Sequence, residues 1–226
     1  MSNYHVTTID CEQGTQAWLQ ARAGLLTGSK AKHVVSKGKA NGDEPVGRRD
    51  YRLQLVAERL TGQPQGDTFV NAAMRHGNET EHRAVAAYEA LTSSLVMPVG
   101  FMRLDHYKAG CSPDGLVNDG EGLIEVKCPK TSTHIGYLRQ MELPRSYVAQ
   151  VTHNLWVSGA KWCDFVSFDD RLPPGMQLMG VRVTRDDLNV EAYVDKAELF
   201  LVSVEKELSD IKTQFADALK LATSVL

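Results

Sequence analysis

At 226 residues, 42% of them hydrophobic, the chain is long enough to bury a full core, and its composition excludes a fibrous, collagen-like or wholly disordered protein. A formal net charge of −3 excludes attachment to nucleic acid through a generally basic surface, because neutralising phosphates takes clustered Lys and Arg; any such site must be local. Cys11, Cys111, Cys128 and Cys163 form no CxxC pair, which argues against a structural zinc site or a disulfide framework. No apolar run approaches ~20 residues and no secretory pattern opens the chain, so a cytoplasmic protein with no membrane partner is expected.

A single domain spanning residues 1–226 is expected. Up to Gln13 the chain reads as a weak strand or arm. Trp18, Leu19 and Ala21 fall on helical spacing between Thr15 and Arg22, with Gly24 as the stop. A short helix from Thr27 or Ser29, both good N-caps, runs through Val34 and Val35. Lys37 to Gly47 has loop composition. Tyr51, Leu53, Leu55, Val56 and Leu60 make an apolar helical stripe that stops before Gly62. A longer helix follows from about Asn71 to Thr92, with Ala84, Val85, Ala87, Tyr88 and Leu91 on its buried side.

The middle of the chain changes period. Leu95 to Arg103, Ala109 to Cys111, Gly115 to Val117 and Leu123 to Cys128 are extended candidates separated by Asp, Gly and Pro turns. Helix returns from Ser132 to Met141 and from Arg145 to Val157, followed by strands at Cys163 to Phe168 and Met179 to Val183. From Asp187 onward, Tyr193, Val194, Ala197, Leu201, Val204, Leu208, Ile211, Phe215 and Leu219 recur at three- and four-residue steps, as one long amphipathic helix or a broken pair. This order argues an α/β or α+β fold with a central mixed sheet flanked by helices. Positive charge gathers at Arg48 to Arg59 and at Lys127 to Arg145, while Glu198 to Asp217 leans acidic.

CSPDG at Cys111 to Gly115 precedes Glu125-Val126-Lys127, with ten residues between Asp114 and Glu125. A turn presents Asp114 and the next strand presents Glu125 and Lys127 on one face, since strand side chains alternate, while Val126 points into the opposite layer. Two carboxylates and the Val126 carbonyl are a partial shell for a hard divalent cation such as Mg2+. Lys127 is placed to position or deprotonate a water and to offset charge on a phosphorus centre. Leu123, Ile124 and Val126 mark the strand as mostly buried, where Glu125 and Lys127 are either a site or a bare buried ion pair. Glu81 shares its helix face with Ala84 and Val85, whereas Glu79 lies about 160° away. By itself Glu81 reads as a solvated acid and His82 as a surface or capping residue.

Trp18 to Ser29 (WLQARAGLLTGS), the helix holding Gly77 and Glu81, CSPDG, LIEVKCP with Thr131-Ser132, and SYVAQVTHNLWV from Ser146 resemble, in order, the lambda-exonuclease-like recombination nucleases of phages and viruses. These belong to the PD-(D/E)xK superfamily with its restriction-endonuclease-like core. The resemblance implies a Mg2+-dependent 5′-to-3′ exonuclease acting on linear double-stranded DNA and releasing 5′-mononucleotides. It further implies a phage or prophage origin in a bacterial host, two metal ions with Mn2+ as a substitute, a homotrimeric ring around the DNA, and a single-strand annealing protein as partner. It casts Asp114, Glu125, Lys127 as catalytic, adds Glu81 and Val126 as metal ligands, and assigns Arg22, Ser29, Ser112 and Gln150 to the 5′-terminal phosphate. Thr133 replaces the family's arginine after the active-site strand, leaving Lys130 or Arg139 for that DNA contact, and Met74 and Arg75 are candidates for splitting the duplex. An endonuclease with the same metal site, or a DNA-end-binding module without chemistry, are the alternative readings.

Overall fold

The computed structural model describes residues 5–38, 42–65 and 72–223, with the side chains of 72–78 and 217–223 outside the description. Strand β1 (Val6–Ile9) is the N-terminal arm. Helix α1 (Gln16–Arg22) starts where the Thr15 hydroxyl accepts from the Trp18 backbone N–H at 3.3 Å. A two-residue strand that the sequence reading missed, β2 (Leu26–Thr27), leads through a 3-10 turn (Gly28–Lys30) into α2 (Ala31–Val35). Helix α3 (Val46–Thr61) ends at Gly62, whose φ of +67° suits a left-handed cap and whose N–H donates to Glu58 O at 2.9 Å. Helix α4 (Ala72–Thr92) follows.

The strand-rich middle builds the mixed, helix-flanked sheet structure expected, divided into two sheets. Leu95 to Arg103 is not one strand: it breaks at Pro98–Gly100 into β3 (Val96–Met97) and β4 (Phe101–Leu104). The first joins β6 (Gly115–Val117), β7 (Gly122–Lys127), β8 (Trp162–Phe168) and β9 (Leu178–Thr184) in the order β3-β6-β7-β8-β9, in which only β7 and β8 run parallel. The second joins β5 (Ala109–Cys111) in the order β1-β4-β5-β2. Proline cannot donate to a ladder, and at Gly100 a Cβ would lie 2.1 Å from Ile9 O, so only glycine fits where the chain enters the sheet of β1.

Helices α5 (Thr131–Gln140) and α6 (Arg145–Ser158) separate β7 from β8. On one face of the larger sheet Ile124 and Val126 cluster with Ala84 and Tyr88 of α4. On the other, Leu123 clusters with Val151 and Leu155 of α6. The alternation along β7 thus sends the odd-numbered residues, Glu125 and Lys127 included, toward α6.

The C-terminal segment is one continuous helix, α7 (Val190–Thr223). Its stripe packs through Tyr193, Ala197, Leu201, Val204 and Leu208 onto α2, α3 and α6, joined by Phe200, which stacks on Tyr51 at 5.6 Å. Phe215, expected in that stripe, is 67% exposed, and Leu219 lies outside the described side chains. Leu91, in the last turn of α4, is likewise 71% exposed. Leu53 and Leu60, two turns apart, share the outer face of α3, opposite the buried Tyr51, Leu55 and Val56. No described helix is long and apolar enough to cross a membrane.

Candidate active site

The hairpin of β6 and β7 places the acids. Asp114 N–H donates to Ile124 O at 3.1 Å, and the Val126 N–H donates to Asp114 Oδ2 at 2.6 Å, fixing the turn carboxylate against the strand that carries the other two groups. Glu125 is 1% exposed. Its Oε1 accepts from the Lys127 ammonium and from Gln150 Nε2 at 2.5 Å, and its Oε2 accepts from Asn154 Nδ2 at 2.9 Å. Lys127 Nζ lies 5.5 Å from the centre of the Tyr147 ring.

Burial, then the Glu125 and Glu81 charges, hold the Asp114 carboxyl well above the usual carboxylate range, against the pull of Lys127 and the Val126 N–H. Glu81 is raised for the same first reason, burial, with Lys127 opposing and Glu125 assisting. Burial works against a charge on Lys127, yet Glu125 and Asp114 together keep its pKa above the ordinary lysine value. Three carboxylates share one ammonium in a poorly solvated place. The excess negative charge and the hard oxygen donors fit a divalent cation. Among the described residues no three His, Cys, Asp or Glu side chains are drawn together as a closed metal-binding group, and Glu125 is tied to Lys127, Gln150 and Asn154.

Glu81 and Asp114 face a cavity of about 1210 Å³ that Arg22 and Ser29 also line. Arg22 donates to Ser29 Oγ at 3.1 Å and to Thr27 Oγ1 at 3.4 Å, and its guanidinium stacks 3.8 Å above the Trp18 ring. The Trp18 indole N–H donates to Ser112 Oγ at 2.7 Å. Arg22, Ser29 and Ser112 are therefore linked through Trp18. Gln150 stands apart from them, on Glu125. Sequence reasoning missed Asn154, Tyr147 and Trp18 as parts of the site. The available signal for Asn154 was its place four residues after Gln150 on one helix face. Lys130, Thr133 and Arg139 are exposed, at the head of α5 or along it, and the side chains of Met74 and Arg75 lie outside the described residues.

The fold is that of a group of solved exonucleases. The alkaline exonuclease LHK-Exo from Laribacter hongkongensis is 37% identical, with 90% of this chain covering 100% of that chain at a TM-score of 0.80. The same values hold for LHK-Exo in complex with dAMP. A phage related exonuclease from Haemophilus somnus 129PT shares the fold at 14% identity and a TM-score of 0.65, over 84% of this chain and 96% of that one. No curated protein sequence matches the chain. Residues 17–161 match the YqaJ-like viral recombinase domain, and the chain belongs to that family. The resemblance drawn from WLQARAGLLTGS, CSPDG and LIEVKCP is borne out at that level.

Proposed function

We propose that the chain is a metal-dependent 5′-to-3′ exonuclease that removes 5′-mononucleotides from linear double-stranded DNA, through a PD-(D/E)xK site built on Asp114, Glu125 and Lys127. The observation that carries this reading is the convergence of these three groups at the end of β7, with Asp114 tied to the Val126 N–H and Glu125 to Lys127. Likeness to LHK-Exo over nearly the whole chain supports it.

Asp114, Glu125 and the Val126 carbonyl, with Glu81, are the residues that would hold Mg2+, one or two ions, or Mn2+ in its place. When bound, the metal supplies Lewis acidity at the scissile phosphate and lowers the pKa of a water. The protein's own groups do the rest. Lys127, bonded to Glu125, is placed to orient or deprotonate the water and to offset charge on the phosphoryl oxygens. Water adds to phosphorus, the bond to the 3′-oxygen of the terminal nucleotide breaks, and that oxygen leaves with a proton. The mononucleotide keeps its 5′-phosphate and the shortened strand gains a new one.

Arg22, Ser29, Ser112 and Gln150 are assigned to that 5′-phosphate. The guanidinium can fork onto phosphate oxygens while stacked on Trp18, and Ser29 already accepts from it. Residues 1–226 as one nuclease domain, a trimeric ring and an annealing partner complete the proposal. Linear duplex labelled at its 5′ or 3′ end, incubated with Mg2+ or with chelator beside a closed circle, tests it. Metal-dependent early release of the 5′ label with the circle intact is the expected result. Cutting of the circle means an endonuclease, and no cutting means a binding module.

A further inference from the structure

The large cavity at the acids is itself acidic. Asp10, Glu12, Glu58, Glu81 and Asp114 line it against Arg22 and Lys30. A second cavity, of about 790 Å³, has the opposite character. Lys32 of α2, Arg145 at the head of α6 and Lys196 of α7 line it, against one acid, Asp187. The Asp187 Oδ2 is already taken, accepting from the Thr184 N–H at 2.8 Å and from its hydroxyl at 2.7 Å. None of the three cations makes an ion pair among the described residues.

This basic cavity adjoins the proposed chemistry. Ser29 lines both cavities. Gln150 and Tyr147 line the second, and through them it backs onto Glu125 and Lys127: the Gln150 amide holds Glu125 and the Tyr147 ring faces the Lys127 ammonium. The 14-residue helix α6 opens into it with no side chain capping its first turn, so the positive end of the helix dipole adds to the field of Arg145. An anion held at the Ser29 junction has this basic cavity next to it.

We propose that the second cavity is a nucleotide-phosphate site, lying beyond the end-phosphate residues and held by Lys32, Arg145 and Lys196. The phosphate belongs either to the mononucleotide just released or to the backbone of the strand being degraded. The proposal rests on the nuclease reading for the identity of its anion.

The test uses the full chain in chelator, so that binding is measured without turnover. Deoxyadenosine monophosphate, inorganic phosphate and a short single-stranded oligonucleotide are titrated at several salt concentrations. Lys32→Ala/Arg145→Ala/Lys196→Ala is compared with the unaltered chain and with Lys206→Ala, whose lysine pairs with Asp210 on the exposed side of α7. All four positions are exposed, and unchanged melting confirms that the variants fold. The expected result is at least a tenfold weaker affinity in the triple variant, with the oligonucleotide's slope of log affinity against log salt flatter by roughly 0.7 for each cation lost, and no change in Lys206→Ala. A loss with the mononucleotide names the product as the source, and a loss with the oligonucleotide alone names the strand. Equal affinity and equal slope in the triple variant would overturn the site. Hydrolysis of linear duplex by the unaltered chain with Mg2+ is scored separately. Its absence alongside intact binding removes the nuclease reading and leaves the phosphate site standing.

Discussion

Asn154 and Glu125 are locked together: the amide nitrogen of Asn154 lies 2.9 Å from Glu125 Oε2, one turn of α6 beyond Gln150, which holds the other oxygen. Behind it, a Cβ at Gly28 would lie 2.3 Å from Asn154 Oδ1, so only glycine leaves room there for the amide oxygen. Asn154 is a positioning residue for Glu125. Asn154→Ala is expected to lower activity and divalent-metal affinity by about 10–100-fold, the usual cost of losing an outer-shell partner. Asn154→Asp, which adds a like charge, should be worse. Calorimetric Mn2+ affinity reads the effect independently of turnover, and unchanged affinity in both variants would remove the role.

Lys127→Ala and Asp114→Asn should each abolish hydrolysis while leaving DNA binding. The folded state should survive too. Lys127→Ala leaves Glu125 held by Gln150 and Asn154, and Asp114→Asn removes a carboxylate whose charge is opposed by burial and by Glu125. The asparagine carbonyl can still accept from the Val126 N–H. Residual metal-dependent cleavage above background in either variant would discard the mechanism.

Arg22→Ala breaks the link to Ser29 and the stack on Trp18. Initial rates on duplexes with 5′-phosphate and 5′-hydroxyl ends should converge, through loss on the phosphorylated substrate alone. An unchanged ratio rejects the end-phosphate assignment.

His153 is fully buried between Tyr193 OH and Gly110 O, each 2.9 Å away, and burial pushes its pKa down from 6.5 to about 4, with the bond to Gly110 opposing. An unfolded chain takes up this proton below about 6.5, the folded chain only below about 4. Between those values the unfolded state binds more protons, so stability falls as pH is lowered through that window and is untouched above it, by on the order of 3 kcal/mol at full extent. Urea midpoints at about pH 7 and about pH 5 measure the slope. His153→Gln should flatten it, while losing stability at neutral pH through the broken bonds.

The reach of the sequence differs from residue to residue. Asp114, Glu125 and Lys127 are close along the chain, and strand alternation alone puts the last two on one face, as β7 has them. Asn154 offered only its place four residues after Gln150, because a polar residue on a helix looks the same whether it meets water or a buried acid. Gln150 lies on Glu125, a contact between α6 and β7 that depends on how helix and sheet pack and not on either segment alone. The division into two sheets was hidden by strands of two residues, β2 and β3, too short to show a period. The exposed Leu91 and Phe215 show a related limit: an apolar stripe records a helix face but not where its partner stops.

Pro98, Val99 and Gly100 join β3 in one sheet to β4 in the other and also form part of the wall of the large cavity. The aperture at the acids is therefore gauged by a covalent tether as well as by packing. A residue inserted or deleted in that tether would rescale the opening while leaving every strand with its own ladder, which makes this short strap the natural place to widen or narrow what the enzyme admits.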